Sequence, residues 1–193
     1  MNSPYQNKKP REWLTITKKL IAKHPLSTKE IKEAVLEAWE EIFRSKIGRK
    51  PYHIGKDIFP KPQIMGFFLH ELIPLEFKRK YPQKWRREKS VSDKDLIYVR
   101  DDTFSIEIKT SSNPQSIFGN RSYAQEAKKD KKSKSGYYLA INFEKFTDKV
   151  TKPRILKVRF GWLDHTDWLG QKAATGQQSR LSRDVESFKL IEL

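Results

Sequence analysis

Asp95, Glu107 and Lys109 are the residues whose types and spacing could do chemistry in this chain. They lie within residues 95–109, DLIYVRDDTFSIEIK, where Leu96-Ile97-Tyr98-Val99 and residues 104–110 are strand-favouring runs around Arg100-Asp101-Asp102-Thr103. A β-hairpin is expected. Alternation along its second strand puts Ser105, Glu107 and Lys109 on one face and Phe104, Ile106 and Ile108 on the other. A turn symmetric about Asp101-Asp102 sets Leu96 opposite Glu107, whereas a one-residue bulge brings Asp95 across from it; in both registers Asp95 and Glu107 are neighbours. Two converging carboxylates make a hard oxygen site suited to Mg2+, with the Ile108 carbonyl completing the set and Lys109 beside the metal-bound water.

The acid-x-Lys triplet also occurs at Glu30-Ile31-Lys32, Glu76-Phe77-Lys78, Glu126-Ala127-Lys128 and Asp130-Lys131-Lys132, in helical or proline-broken settings. Only Glu107-Ile108-Lys109 lies on a strand that follows another strand. Asp95, eleven residues and then Glu107-Ile108-Lys109 resembles the D…E-x-K site of the PD-(D/E)XK nuclease superfamily, with Lys94 where the name has Pro. The continuation SIEIKTSSNPQSIFGNRSYAQ, residues 105–125, is similar to type II restriction endonucleases of the ScaI kind, and the similarity extends over most of the chain.

This resemblance implies an α/β (α+β) fold with a mixed central sheet flanked by helices, and Mg2+-dependent double-strand cleavage of a short palindrome. For a close relative it implies AGTACT cut to blunt ends. It also implies double-stranded DNA as partner, a companion DNA methyltransferase and a prokaryotic cytoplasmic location. The first core helix of the superfamily often adds an acid to the metal site, and Glu71 occupies the matching place. A surface carboxylate is the competing reading for Glu71, and His70 reads as a packed or solvated histidine.

The elements that must position the hairpin can be read in order. Residues 1–11 suggest a mobile arm or a frayed terminus. Helices are expected over 13–23, over 28–47 behind the Ser27-Thr28-Lys29-Glu30 capping box and stopped by Gly48, and over 63–73 with Pro74 near the end. Residues 49–62 read as a connecting loop. Residues 76–94 read as a basic loop in which Arg86 and Arg87, interleaved with Tyr81 and Trp85, could grip a phosphate strand. A helix over 121–132 between the catalytic strand and a strand over 136–143 implies a parallel crossover pair. A further strand is expected over 154–163, mixed helix or loop over 164–183, and an edge strand over 188–193.

Base reading would fall to Asn113, Gln115, Asn120, Arg121 and Gln125, whose side-chain types include those that bond adenine or guanine edges. Turn formation and capping are the alternative roles for Asn113 and Asn120. Lys128 and the lysines at 129, 131, 132 and 134 are expected to meet phosphate or water.

At 193 residues the chain reads as one restriction-endonuclease-like domain with a helical N-terminal part, about 1–48. Its 40 Lys plus Arg against 24 Asp plus Glu give a formal charge of +16, which argues for a polyanionic partner. The absence of cysteine excludes a disulfide framework and a thiolate zinc site, and no run approaches membrane-spanning length. One D…E-x-K hairpin per chain and a two-fold symmetric target imply a C2 homodimer, with the helices around Trp13 and Trp39 as its expected contact. Two rivals share the charge: a junction or repair nuclease of the same fold that reads DNA shape, and a basic DNA-binding protein without catalysis.

Overall fold

Helices form where the sequence supplies caps and an apolar stripe. A computed structural model describing residues 3–126, 132–173 and 175–193 places α1 at Pro10–Lys23, with proline in its first turn. α2, Thr28–Arg44, opens on the Ser27/Glu30 capping box and buries Ile31, Val35, Ala38, Trp39 and Ile42. It ends short of Gly48. That glycine, at φ 84°, instead turns a small hairpin of β1 (Lys46–Ile47) and β2 (Tyr52–His53), so the expected loop is partly strand.

α3, Pro62–Lys80, continues through Pro74. The proline removes one N–H donor, but Ile73 and Phe77 are fully buried and Arg79 pairs with Glu76 one turn on, so burial and local pairing outweigh the lost bond. Residues 76–94 are therefore not a continuous loop. They begin as helix and include β3, Trp85–Arg87, whose Trp85 is 1% exposed and cannot meet DNA.

The expected hairpin is present as β4 (Leu96–Tyr98) and β5 (Ile106–Ser111), joined through a 3-10 turn at Asp102–Phe104. Then come β6 (Phe118–Asn120), β7 (Gly136–Phe143), β8 (Ile155–Leu163), β9 (Trp168–Gly170), β10 (Gln178–Leu181), α4 (Arg183–Phe188) and β11 (Leu190–Glu192). The central sheet has six strands in the order β11-β8-β7-β5-β4-β3, with β5 and β7 parallel and the other pairs antiparallel. It is the mixed sheet flanked by helices that was expected, with β11 as its edge. A second sheet, β6-β10-β9, replaces the mixed segment expected over 164–183.

β7 is buried along its whole length and serves two cores. Tyr137, Leu139, Ile141 and Phe143 pack with Trp39, Leu69 and Ile73 of the helical layer. Tyr138 and Ala140 pack with Tyr123, Trp168, Leu181 and Val185 under the small sheet. In the parallel register Glu107 lies beside Tyr138 and Lys109 beside Ala140. The expected chemistry thus sits between the central and the small sheet.

Three further expectations change. The helix over 121–132 begins as a 3-10 turn, Arg121–Ala124, because the Arg121 amide is drawn to the Gln177 carbonyl at 2.7 Å; residues 127–131 fall outside the described set. The N-terminal arm is held, since the Tyr5 hydroxyl and Thr17 Oγ1 share a hydrogen bond of 2.8 Å and Ser3 donates to Asp164 at 2.5 Å. Trp39 is 3% exposed and donates to the Pro153 carbonyl, while Trp13 packs on the core, so core packing consumes the faces expected to dimerise. No described helix is long and apolar enough to cross a membrane.

Candidate active site

Leu96 pairs with Ile106, and continuing that register by one residue sets Asp95 across from Glu107. Of the two registers open in the sequence, this is the one that brings the carboxylates face to face. Asp95 Oδ2 accepts from the Ile108 amide at 2.6 Å. Glu107 Oε1 accepts from Lys109 Nζ at 2.8 Å and from the Tyr123 hydroxyl. Lys109 Nζ also reaches the Ile108 carbonyl at 3.2 Å and stands 4.5 Å from the centre of the Tyr123 ring. Gly66 lets α3 close on β5, because a Cβ there would meet Thr110 Oγ1 at 2.6 Å. One turn later, His70 Nδ1 stands 3.6 Å from Asp95 Oδ2, beyond hydrogen-bond range yet near enough to favour the carboxylate.

Burial is the largest influence on both carboxyls and opposes their charge. His70, Lys109 and Lys132 nevertheless hold Asp95 well below the usual carboxylate range, and Lys109 and Lys132 hold Glu107 low against the repulsion of Asp95. The Tyr123 hydroxyl is pushed up by burial and by Glu107, which keeps it a donor. Lys94 is 6% exposed and donates to the Ser135 carbonyl at 3.0 Å; burial lowers its pKa to about 8.

Lys132 Nζ lies 2.9 Å from Glu107 Oε2 and 3.4 Å from Asp95 Oδ1. The closer contact is an ion pair without hydrogen-bond alignment, and Glu107 Oε2 is buried without a hydrogen-bond donor among the described residues. Each carboxylate therefore has one oxygen committed to the fold and one turned toward Lys132.

The family model for the ScaI restriction endonuclease matches residues 3–193. The type II restriction enzyme ScaI of Streptomyces caespitosus is 48% identical over 194 aligned positions, covering 100% of this chain and 85% of that protein. The chain belongs to the ScaI restriction endonuclease family. As a type II restriction enzyme it cleaves DNA sequence-specifically. No solved structure matches the chain.

In this ScaI-family chain the fold brings Asp95, Glu107, Ile108 and Lys109 together. It does not bring Glu71 to them: Glu71 pairs with Arg87 at 3.1 Å, and no group of three or more His, Asp or Glu among the described residues is arranged to hold a metal. Arg86 pairs with Asp93 at 2.7 Å, so both arginines expected on phosphate are engaged by acids here. Asn113 Oδ1 accepts from the Gln115 and Ser116 amides, the turn role, and Gln115 Oε1 accepts from Lys157. The Asn120 carbonyl accepts from Ser179, and Arg121 reaches the Ala173 and Gly176 carbonyls. Gln125 is exposed, and Lys128 lies outside the described residues. His70 was set aside in the sequence, although its spacing of four from Gly66 puts both on one helix face. Tyr123 gave no signal, and nothing separated Lys132 from the other lysines of its run.

Proposed function

We propose that this restriction endonuclease requires Mg2+ and that Asp95, Glu107 and Lys109 do the chemistry of a double-strand break at a short palindrome. The observation that carries the reading is Glu107 Oε2, buried without a hydrogen-bond donor among the described residues and turned to the same point as Asp95 Oδ1. A buried carboxylate oxygen left unsatisfied is costly unless a cation completes it. Carboxylate and carbonyl oxygens, with no thiol, suit a hard divalent ion.

Asp95, Glu107 and the Ile108 carbonyl would hold Mg2+, which when bound supplies charge neutralisation at the phosphate and a more acidic water. The remaining work belongs to the chain. The Ile108 amide and His70 fix Asp95 Oδ2, which aims Oδ1 into the site. Tyr123 and Lys109 fix Glu107 Oε1, which leaves Oε2 to the cation. Lys109, held at Glu107 and the Ile108 carbonyl, orients the attacking water. Glu71 acts through Arg87, placing that guanidinium for the DNA backbone. Base reading is assigned to Asn120, Arg121 and Gln125 at the end of β6 and the turn after it, while Asn113 and Gln115 hold the preceding loop.

The chain's one D…E-x-K site and a two-fold target support a C2 homodimer on DNA. The likeness to ScaI supports AGTACT cut to blunt ends, a companion DNA methyltransferase and the prokaryotic cytoplasm as its place of action. Digestion of sequenced plasmid with Mg2+, followed by fragment-end mapping, tests the reading. Blunt ends at a single palindrome are expected. Cuts that follow DNA structure rather than sequence would replace it with the junction-nuclease reading. Sedimentation with a cognate duplex should give two chains per duplex, and one chain with concerted double-strand cleavage would defeat the dimer.

A further inference from the structure

Four carboxylate oxygens meet at the site, and the fold commits two of them. Asp95 Oδ2 is taken by the Ile108 amide and flanked by His70, and Glu107 Oε1 is taken by Lys109 and Tyr123. The other two, Asp95 Oδ1 and Glu107 Oε2, face one group among the described residues, the Lys132 ammonium. Its side chain is 14% exposed, far from the solvated or phosphate-bound state expected of a lysine in a basic run. The uncommitted oxygens are also the pair assigned above to Mg2+.

We propose that Lys132 is a resident counter-ion of the acid pair, occupying the place of the divalent cation in the free enzyme and leaving it when the cation binds. The inference rests on the metal-site reading and deepens it. A lone buried pair of carboxylates repels itself, so without metal some cation must lie between Asp95 and Glu107 for both to stay ionised. Lys132 meets that need with a single charge and, at Glu107, without hydrogen-bond alignment. A divalent ion brings twice the charge and direct coordination. The two cations cannot share the space between the same oxygens, so metal binding must displace the ammonium. Displacement subtracts from metal affinity, and the freed charge then lies at the mouth of a site that receives a phosphodiester. Lys109 is distinct, because it holds Glu107 Oε1 and the Ile108 carbonyl and can stay in place.

The test is Mn2+ binding by the full-length protein without DNA, followed through loss of the free Mn2+ electron paramagnetic resonance signal, with thermal unfolding in parallel. Lys132→Met is expected to bind Mn2+ about tenfold more tightly than the wild type or better, the scale of removing one competing charge at close range. Without metal it should unfold at a lower temperature than the wild type, and Mn2+ should raise that temperature more than in the wild type. Lys132→Gln keeps a donor but no charge and should show the same gain, which preserves the test if the Met variant does not fold. Lys132→Arg keeps the charge and should bind no more tightly than the wild type. Glu107→Gln separates the two readings. If it abolishes Mn2+ binding while a folded neutral Lys132 variant binds no better than wild type, the counter-ion proposal is overturned and the metal site stands. If Glu107→Gln binds Mn2+ as the wild type does, both fall.

Discussion

Two buried clusters in this molecule have nearly the same composition and opposite character. At the candidate active site, Asp95 and Glu107 meet Lys109, Lys132 and Tyr123; at the far edge of the sheet, Asp164 and Asp167 meet Lys189 and Tyr5. Both lysines that carry the pairing lie over a tyrosine ring, Lys109 at 4.5 Å and Lys189 at 4.1 Å. In the second cluster the paired oxygens have donors, although burial still raises the Asp167 carboxyl above its ordinary value. Lys189 donates to both oxygens of Asp167 at 2.7 and 2.9 Å, the Asp164 amide donates to Asp167, and Ser3 donates to Asp164. In the first, Glu107 Oε2 is left without a hydrogen-bond donor among the described residues. Burial of acids beside lysine is common to both clusters, and what separates them is the oxygen without a donor. The closed cluster ties the N-terminal segment to β11, whereas the open one is the cation site proposed above.

The largest expected effect breaks the open cluster. Glu107→Gln and Lys109→Ala should each lower plasmid cleavage with Mg2+ by at least about 10^4-fold, as removal of residues that act as one unit does, while gel-shift binding to the cognate duplex persists. Cleavage at near wild-type rate by either variant would remove the functional distinction between the clusters.

Breaking the closed cluster should instead read out as stability. Lys189→Met leaves Asp164 and Asp167 buried without their cation and should cost about 3–5 kcal/mol in urea unfolding. Cleavage per folded molecule should be unchanged. A loss of cleavage with unchanged stability would assign the second cluster to function.

A smaller change tests the groups around the open cluster. Tyr123→Phe removes the donor to Glu107 Oε1 but keeps the ring under Lys109, and should reduce cleavage by about 10- to 100-fold with little loss of stability. No change in rate would show that Lys109 alone holds Glu107.

The smallest effect comes from a buried group with no charged partner among the described residues, which calibrates the other two. His24 lies between Trp85, Phe104, Tyr137 and Phe160, with its ring nitrogens at the Phe104 carbonyl and the Leu26 backbone. Burial lowers its pKa. Because the folded value is depressed, the unfolded chain takes up the proton first as pH falls. Stability is full above the ordinary histidine value of about 6.5 and declines below it, by up to about 1.4 kcal/mol per pH unit for one proton. Urea unfolding between pH 7.5 and 5.5 measures this slope. Its persistence in Lys189→Met would show that His24 and the closed cluster act independently.

Much of this arrangement is determined by local sequence. Alternation in SIEIK places Glu107 and Lys109 on one face of a strand, the Ser27/Glu30 pair starts α2, and the β5–β7 order requires a parallel crossover, all from interactions within a few residues or from chain geometry. What sequence could not decide depends on contacts between distant segments. The register that sets Asp95 across from Glu107 follows from the 3-10 turn at Asp102–Phe104, whose extra length has no unique sequence signature. The passage of α3 through Pro74 depends on the burial of Ile73 and Phe77, and the turning of His70 to Asp95 depends on the close approach at Gly66. Tyr123 and Lys132 reach Glu107 from 16 and 25 residues further along the chain. Periodicity reports which way a side chain points from its own backbone. Which charges share a buried space, and which oxygen is left without a donor, is settled only when separate elements pack and water is excluded from between them.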